Sequence, residues 1–316
     1  MRRFAPTIAL AGSALLIAAC GEGPTRASSA AVVGDERIPL ERVQDDVRWL
    51  LNNIPEVRQA DDEGNLGLYT RHVVQSYVVS ELLEVAAEEE DLQVDREVVD
   101  ERLEAWGGRD EAPAMVGVPP ERLERFATDV ALIEQLGEHY LDRISVEVIG
   151  AEVSADTPDD PMREQAVALG EEIAADPERA AELAGDEGRR VIDETFTPAE
   201  LVAGGAAELA TSALFSAEPG TVTVIQPNPQ QPVWLVALIT DRTVDAAAGD
   251  DDVAEAPQAD PNVLYGFGLR MLAPVAEEVG VEINPRYGVW DPVGMSIAES
   301  EEHTFGELIP SRTAQP

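Results

Sequence analysis

The chain has 316 residues, enough for about two domains, and 44% of them are apolar, so sizeable cores can form. Its formal net charge is −40, and arginine supplies every positive side chain because the sequence contains no lysine. This balance argues against nucleic acid, whose phosphates need a basic face, and against docking on anionic lipid headgroups. Self-repulsion at this charge opposes compaction in dilute buffer and is screened by salt. A saline or alkaline habitat and a generically acidic exported protein account for it equally.

Arg2 and Arg3 form a positive start, and residues 8–19 an apolar run that is too short for the roughly 20 residues of a membrane span. The run ends in Ile17-Ala18-Ala19-Cys20-Gly21, which resembles a bacterial lipobox. The expectation is a signal peptide over 1–19, lipidation of Cys20, and a small polar tether over 20–30. That places the protein on the outer face of the cytoplasmic membrane, held by acyl chains. Cys20 is the sole cysteine, so no internal disulfide can form.

Beyond the tether, Ala31–Val33 reads as a strand, Gly34-Asp35 as a turn and Ile38 as part of a return strand. Pro39 suits the first turn of a helix on which Val43, Val47, Leu50 and Leu51 share a face. A longer helix over about 66–90 carries Val73, Val74, Tyr77, Val78, Leu82 and Val85 on its apolar side. Asp95 is placed to cap a helix running to Trp106. The stretch "GGRDEAPAMVGVPPERLERF" reads as loop, and a helix over about 119–141 turns Leu123, Phe126, Val130, Ile133 and Leu136 inward.

The order of these elements, with "VVGDERI" at 32–38 and "LQVDREV" at 92–98, resembles the N-terminal chaperone domain of SurA/PrsA-type foldases. In that family "VNGEPI" opens the domain and "GI-x-V-(S/T/D)-x-x-E-V" starts a later helix. Residues 145–245 extend the resemblance. "SVEVIGAEV" reads as a strand, "MREQAVALGEEIAADPERAAELAGDEG" as two short helices, "ETFTPAEL" as a turn region, and Trp234–Thr240 as a central strand. "ALFSAEPGTV" at 213–222 matches the "ALF-x-L-x-x-G-x-V" of parvulin-type peptidyl-prolyl isomerases.

Parvulins carry one histidine on the first strand, another on the last, a Cys or Asp, and a Met/Phe pocket for the proline ring. An isomerase lowers a barrier of about 18–20 kcal/mol by binding the twisted amide better than the planar one, which takes polar groups beside a desolvated pocket. Here Gly150 falls at the first histidine position and Leu235 at the second. Residues 203–207 and Leu209 stand where the pocket is expected, and the domain contains no histidine. The resemblance therefore implies the fold without its catalytic residues. His72, His139 and His303 read as packing or surface residues, no metal site or cofactor is expected, and the acidic runs at 156–160 and 250–252 read as solvated linker.

Residues 246–262 are a low-complexity acidic linker. A helix over 263–279, with Phe267, Leu272, Val275 and Val279 apolar and a kink at Pro274, precedes "VEINPRYGVW", which resembles the C-terminal end of actinobacterial members of the foldase group. The resemblance implies that residues 263–296 pack back on the helical domain. Residues 299–316 are expected to be disordered. The expected fold class is α+β: a discontinuous helical chaperone domain (31–144 and 263–296) with an inserted parvulin-like domain (145–245). The expected activity is holding unfolded exported chains in an apolar groove, with Trp49, Trp106, Met115, Phe126 and Trp290 as candidate contacts. The partners are then unfolded exported proteins and, through the lipid, the membrane. An active prolyl isomerase and a surface adaptor lipoprotein that binds one folded partner are the alternatives.

Overall fold

The computed structural model describes residues 28–154, 162–228, 230–244 and 259–312. The lipobox with Cys20, most of the tether, the acidic runs at 156–160 and 250–252, nearly all of the 246–262 linker and the last four residues lie outside the described residues. The described chain is mixed α+β, and every sheet in it is antiparallel.

β1 (Ser29–Val33) and β2 (Glu36–Pro39) form a hairpin through Gly34, whose φ of +56° suits glycine. Pro39 caps α1 (Leu40–Asn53), and Pro55, with its φ preset for a first turn, opens α2 (Pro55–Asp62). α3 (Leu66–Glu89) buries Val73, Val74, Val78 and Leu82. α4 (Arg96–Ala105) follows Asp95, which occupies the N-cap position without a side-chain cap hydrogen bond. The loop expected next is instead α5 (Gly108–Val116), bracketed by Gly107 and Gly117 at φ of +91° and +68°. These left-handed glycines let nine residues turn in and out, and Ala112 packs with Leu103 and Leu123. α6 (Pro120–Tyr140) completes the helical layer.

A sheet unit follows: β3 (Ile144–Ser154), α7 (Met162–Ala175), α8 (Ala180–Gly185), β4 (Val191–Phe196), α9 (Pro198–Ala203), α10 (Ala207–Ala210), β5 (Thr221–Ile225) and β6 (Val233–Val244). The "ETFTPAEL" stretch, expected to be a turn, is the end of β4 plus the start of α9. A capping box builds α9: the Thr197 hydroxyl accepts from the Glu200 N–H at 3.3 Å and donates to the Glu200 carboxylate at 2.9 Å.

The chain then returns through α11 (Pro261–Met271), α12 (Ala273–Val279), β7 (Val281–Ile283), β8 (Val289–Asp291) and β9 (Ser296–Ala298). The helix expected over 263–279 is thus two helices parted at Leu272, with Pro274 in the first turn of the second. β7 pairs with β1, so the end of the chain closes the sheet that the start opened. Residues 299–312 of the expected disordered tail are structured instead: β10 (Gly306–Pro310) pairs with β5. Arg163 on α7 fixes its approach by donating to the main-chain oxygens of Glu302 and Thr304 and to the Thr304 hydroxyl.

The five-stranded sheet runs β10-β5-β6-β3-β4 and has two buried faces. Val222, Val224, Trp234, Val236 and Leu238 pack with Ile173 and Leu169 of α7. The opposite face, with Val146, Val148, Leu235, Ala237 and Ile239, shares one continuous core with α1, α3, α6 and α11. Phe215 and Phe267 meet in that core edge to face, at 6.3 Å between ring centroids. α11 crosses α6 at backbone contact. A Cβ on Gly268 would lie 1.8 Å from the Ile133 carbonyl oxygen, and one on Gly137 2.1 Å from that of Leu264.

Candidate functional site

Two places answer to the sequence expectations, and they differ in kind. The first is the sheet face at Gly150 and Leu235. Gly150 on β3 stands opposite Ala237 on β6 and Ile192 on β4, and Leu235 lies two residues along β6, opposite Glu152. With a side-chain period of two, both positions face the same side of the sheet, toward the shared core. Leu235 is buried. At Gly150 a Cβ would lie 2.0 Å from the Val236 carbonyl oxygen and 2.7 Å from the Ala237 Cα, so the site has no room for any side chain. α9 and α10, joined through Gly204 and Gly205, bring half-buried Leu201, Val202 and Leu209 to this core. His72 and His139 lie on α3 and α6 and His303 in a 3-10 turn, all off the sheet. No group for proton transfer or amide polarisation is present at the two positions.

Gly150→His should therefore fail to create an isomerase. The expected result is destabilisation of about 1–3 kcal/mol, the usual cost of overpacking, with no gain in prolyl-peptide isomerisation; thermal melting and a cis/trans relaxation assay check the two halves.

The second place is a groove of about 330 Å³ between α3, the α5–α6 junction and α11. Its walls are Val79 of α3, Val116 and Val118 around Gly117, Phe126, Val130 and Ile133 of α6, and Leu269 of α11. Sequence order alone gives the wall positions on α6, which follow the i, i+4, i+7 spacing of one helical face. The Phe126 ring leans on Trp106 at 5.8 Å between centroids, and Arg102 lies over the Trp106 ring at 5.9 Å. Gly117, in the left-handed region, lets the chain turn from α5 into α6 close to Leu50 of α1 and to Ile54 between α1 and α2.

Polar groups interrupt the apolar lining at His72, Gln75, Ser76, Asp129 and Tyr265. Gln75 donates to the Met295 carbonyl at 3.1 Å, tying α3 to the β8–β9 hairpin. Ser76 accepts from Arg122, whose guanidinium also donates to the buried Asp46 carboxylate and lies 3.6 Å from the centre of the Tyr77 ring. Burial is the main reason the Tyr77 phenol is pushed up to about 12, and its hydrogen bond to Asp46 adds to this. Asp129, 6% exposed, accepts from Arg125 at 2.9 Å. Burial holds its carboxyl above the ordinary carboxylate range, against the pull of Arg125. Burial, and then the charge of Arg71, lowers the His72 imidazole, so His72 is neutral at neutral pH.

Of the five expected contact residues, the structure brings Phe126 into the groove and sets Trp106 against it. Met115, 68% exposed, directly precedes the wall residue Val116. Trp49 and Trp290 are not among the residues that line this groove. Both are half-buried against the main core, Trp49 on α1 and Trp290 on β8. Tyr265 and Leu269 were missed because the apolar positions chosen on that helix, Phe267 and Leu272, are the ones that pack inward. The i, i+4 spacing of Tyr265 and Leu269 was the available signal.

Among the described residues no helix is long and apolar enough to cross a membrane. No protein-family model matches this chain, and no curated protein matches it either.

Proposed function

We propose that this chain is a lipid-anchored, extracytoplasmic chaperone that holds unfolded exported polypeptides, anchored at Cys20. In this reading the helical layer and the returning C-terminal segment are a discontinuous SurA-like chaperone domain, and residues 145–245 are an inserted parvulin-like domain without isomerase activity. The return of β7 to β1 and of α11 to α6 supports the discontinuous arrangement. The occluded Gly150 and buried Leu235 support a silent isomerase fold.

The observation that carries the proposal is the apolar groove. At about 330 Å³ it is near the small end of the roughly 300–1,000 Å³ typical of ligand sites, so it takes a few side chains of an unfolded chain and not a folded surface. Grip on a few side chains is weak, as a holdase requires. The charge of −40 keeps the complex soluble while the client's apolar segment is held.

A photo-cross-linking side chain at Met115 tests this. It should label several unrelated unfolded clients, and the same label at Glu194 on β4 should not. Equal labelling from both positions would remove the groove from the account. Labelling of one folded protein alone would favour a surface adaptor.

A further inference from the structure

Resting on that reading, we infer that the groove selects apolar client segments that carry an arginine or lysine over equally apolar segments that carry acid. Among the residues lining it there is no cationic side chain, only the Asp129 carboxylate and the neutral His72. The arginines nearby are each taken by a carboxylate: Arg71 by Glu299 at 3.4 Å, Arg122 by Asp46 at 2.5 Å, and Arg125 by Asp129 and by Glu84 at 3.2 Å. Tyr265 is among the lining residues, and no protein group is hydrogen-bonded to its hydroxyl among the described residues. Asp129 and Glu134 are the charges that bear on it.

The groove thus offers the Asp129 carboxylate, already held by Arg125, together with Tyr265 and the neutral His72, all beside an apolar wall and with no cationic side chain in the lining. A guanidinium or ammonium on the client satisfies these acceptors. A carboxylate on the client meets Asp129 as a like charge. The field of the whole chain, at −40, acts in the same direction and steers basic segments inward.

The test uses the chain from Gly21 onward and three fluorescent peptides sharing one apolar segment, flanked by arginine, by glutamate or by serine. At low salt the arginine peptide should bind about tenfold more tightly than the glutamate peptide, and the gap should narrow as salt approaches 1 M. Tyr265→Phe should lower affinity for the arginine peptide severalfold and leave the serine peptide unchanged. His72→Trp, which adds bulk to the groove lining from an exposed helix position, should weaken all three, with melting curves confirming that the variant is folded. Equal binding of the three peptides, or a charge preference that His72→Trp leaves intact, overturns the inference while leaving the holdase reading standing. Binding of none of the peptides sinks both.

Discussion

Replacing Gly268 by alanine should cost about 3 kcal/mol, the upper end of what overpacking usually costs, and lower the melting temperature by about 5 °C. The added Cβ would stand 1.8 Å from the Ile133 carbonyl oxygen and 2.9 Å from the Gly137 amide nitrogen, all of it backbone that cannot swing aside. α11 would have to move off α6, and with it Tyr265 and Leu269, so groove binding should fall with stability. Gly67→Ala is the control. Gly67 is the second residue of α3, where the nearest atom to a Cβ is the end of the flexible Arg71 side chain at 3.4 Å, and alanine gains up to about 1 kcal/mol over glycine in a helix interior and less in the first turn. Differential scanning calorimetry of the two variants should show opposite signs. A Gly268→Ala protein that melts with the parent would mean the helices do not cross at backbone contact.

Arg270→Met should be comparably damaging, for a different reason. Arg270 is 7% exposed and makes no salt bridge among the described residues; its guanidinium donates to three main-chain oxygens, those of Thr211 at 3.2 Å, Pro292 at 3.2 Å and Val293 at 2.5 Å. Burial pulls the guanidinium down to about 10, with the Asp291 charge opposing, so it stays protonated at neutral pH. It thereby ties α11 to the end of α10 and to the β8–β9 hairpin. A buried carbonyl left without a donor costs about 1–3 kcal/mol, and water entering from the adjacent cavity relieves part of the loss, so a total of about 3 kcal/mol is expected. Arg270→Lys keeps the charge but not the fork and should recover less than half. Amide hydrogen exchange should show the loss of protection concentrated at 289–298 and 211–215; uniform loss would point to a purely global effect.

The helices with strong apolar periodicity, α1, α3, α4 and α6, were legible to within a residue or two at most ends, because each repeats its buried residues at three and four. α5 was not, because its glycines and Pro113 are also loop signals, and only tertiary contact of Ala112 with Leu103 and Leu123 decides for helix. α9 could have been found from Thr197 and Glu200 at capping-box spacing. β10 was hidden by composition. Five residues with Gly306 and Pro310 at the ends make a strand only where β5 offers an open edge and Arg163 fixes the preceding turn.

At the candidate site the sequence showed the apolar face of α6 and an aromatic near it, Phe126. It could not show which helix closes the groove, since Tyr265 and Leu269 lie far along the chain and meet α6 only through the glycine crossing. Trp49 and Trp290 were chosen as large apolar residues, and size alone does not separate core from groove.

The proposed activity is holding unfolded clients without isomerising prolyl bonds. The most direct measurement follows aggregation of a denatured model client and cis/trans relaxation of a prolyl peptide side by side, with the chain from Gly21 onward, at low and high salt. A holdase with a silent isomerase fold should suppress aggregation, lose that effect in His72→Trp, and leave the relaxation rate equal to that without protein. Aggregation that proceeds unchanged at both salts, or relaxation accelerated by rigorously purified protein, would contradict this reading.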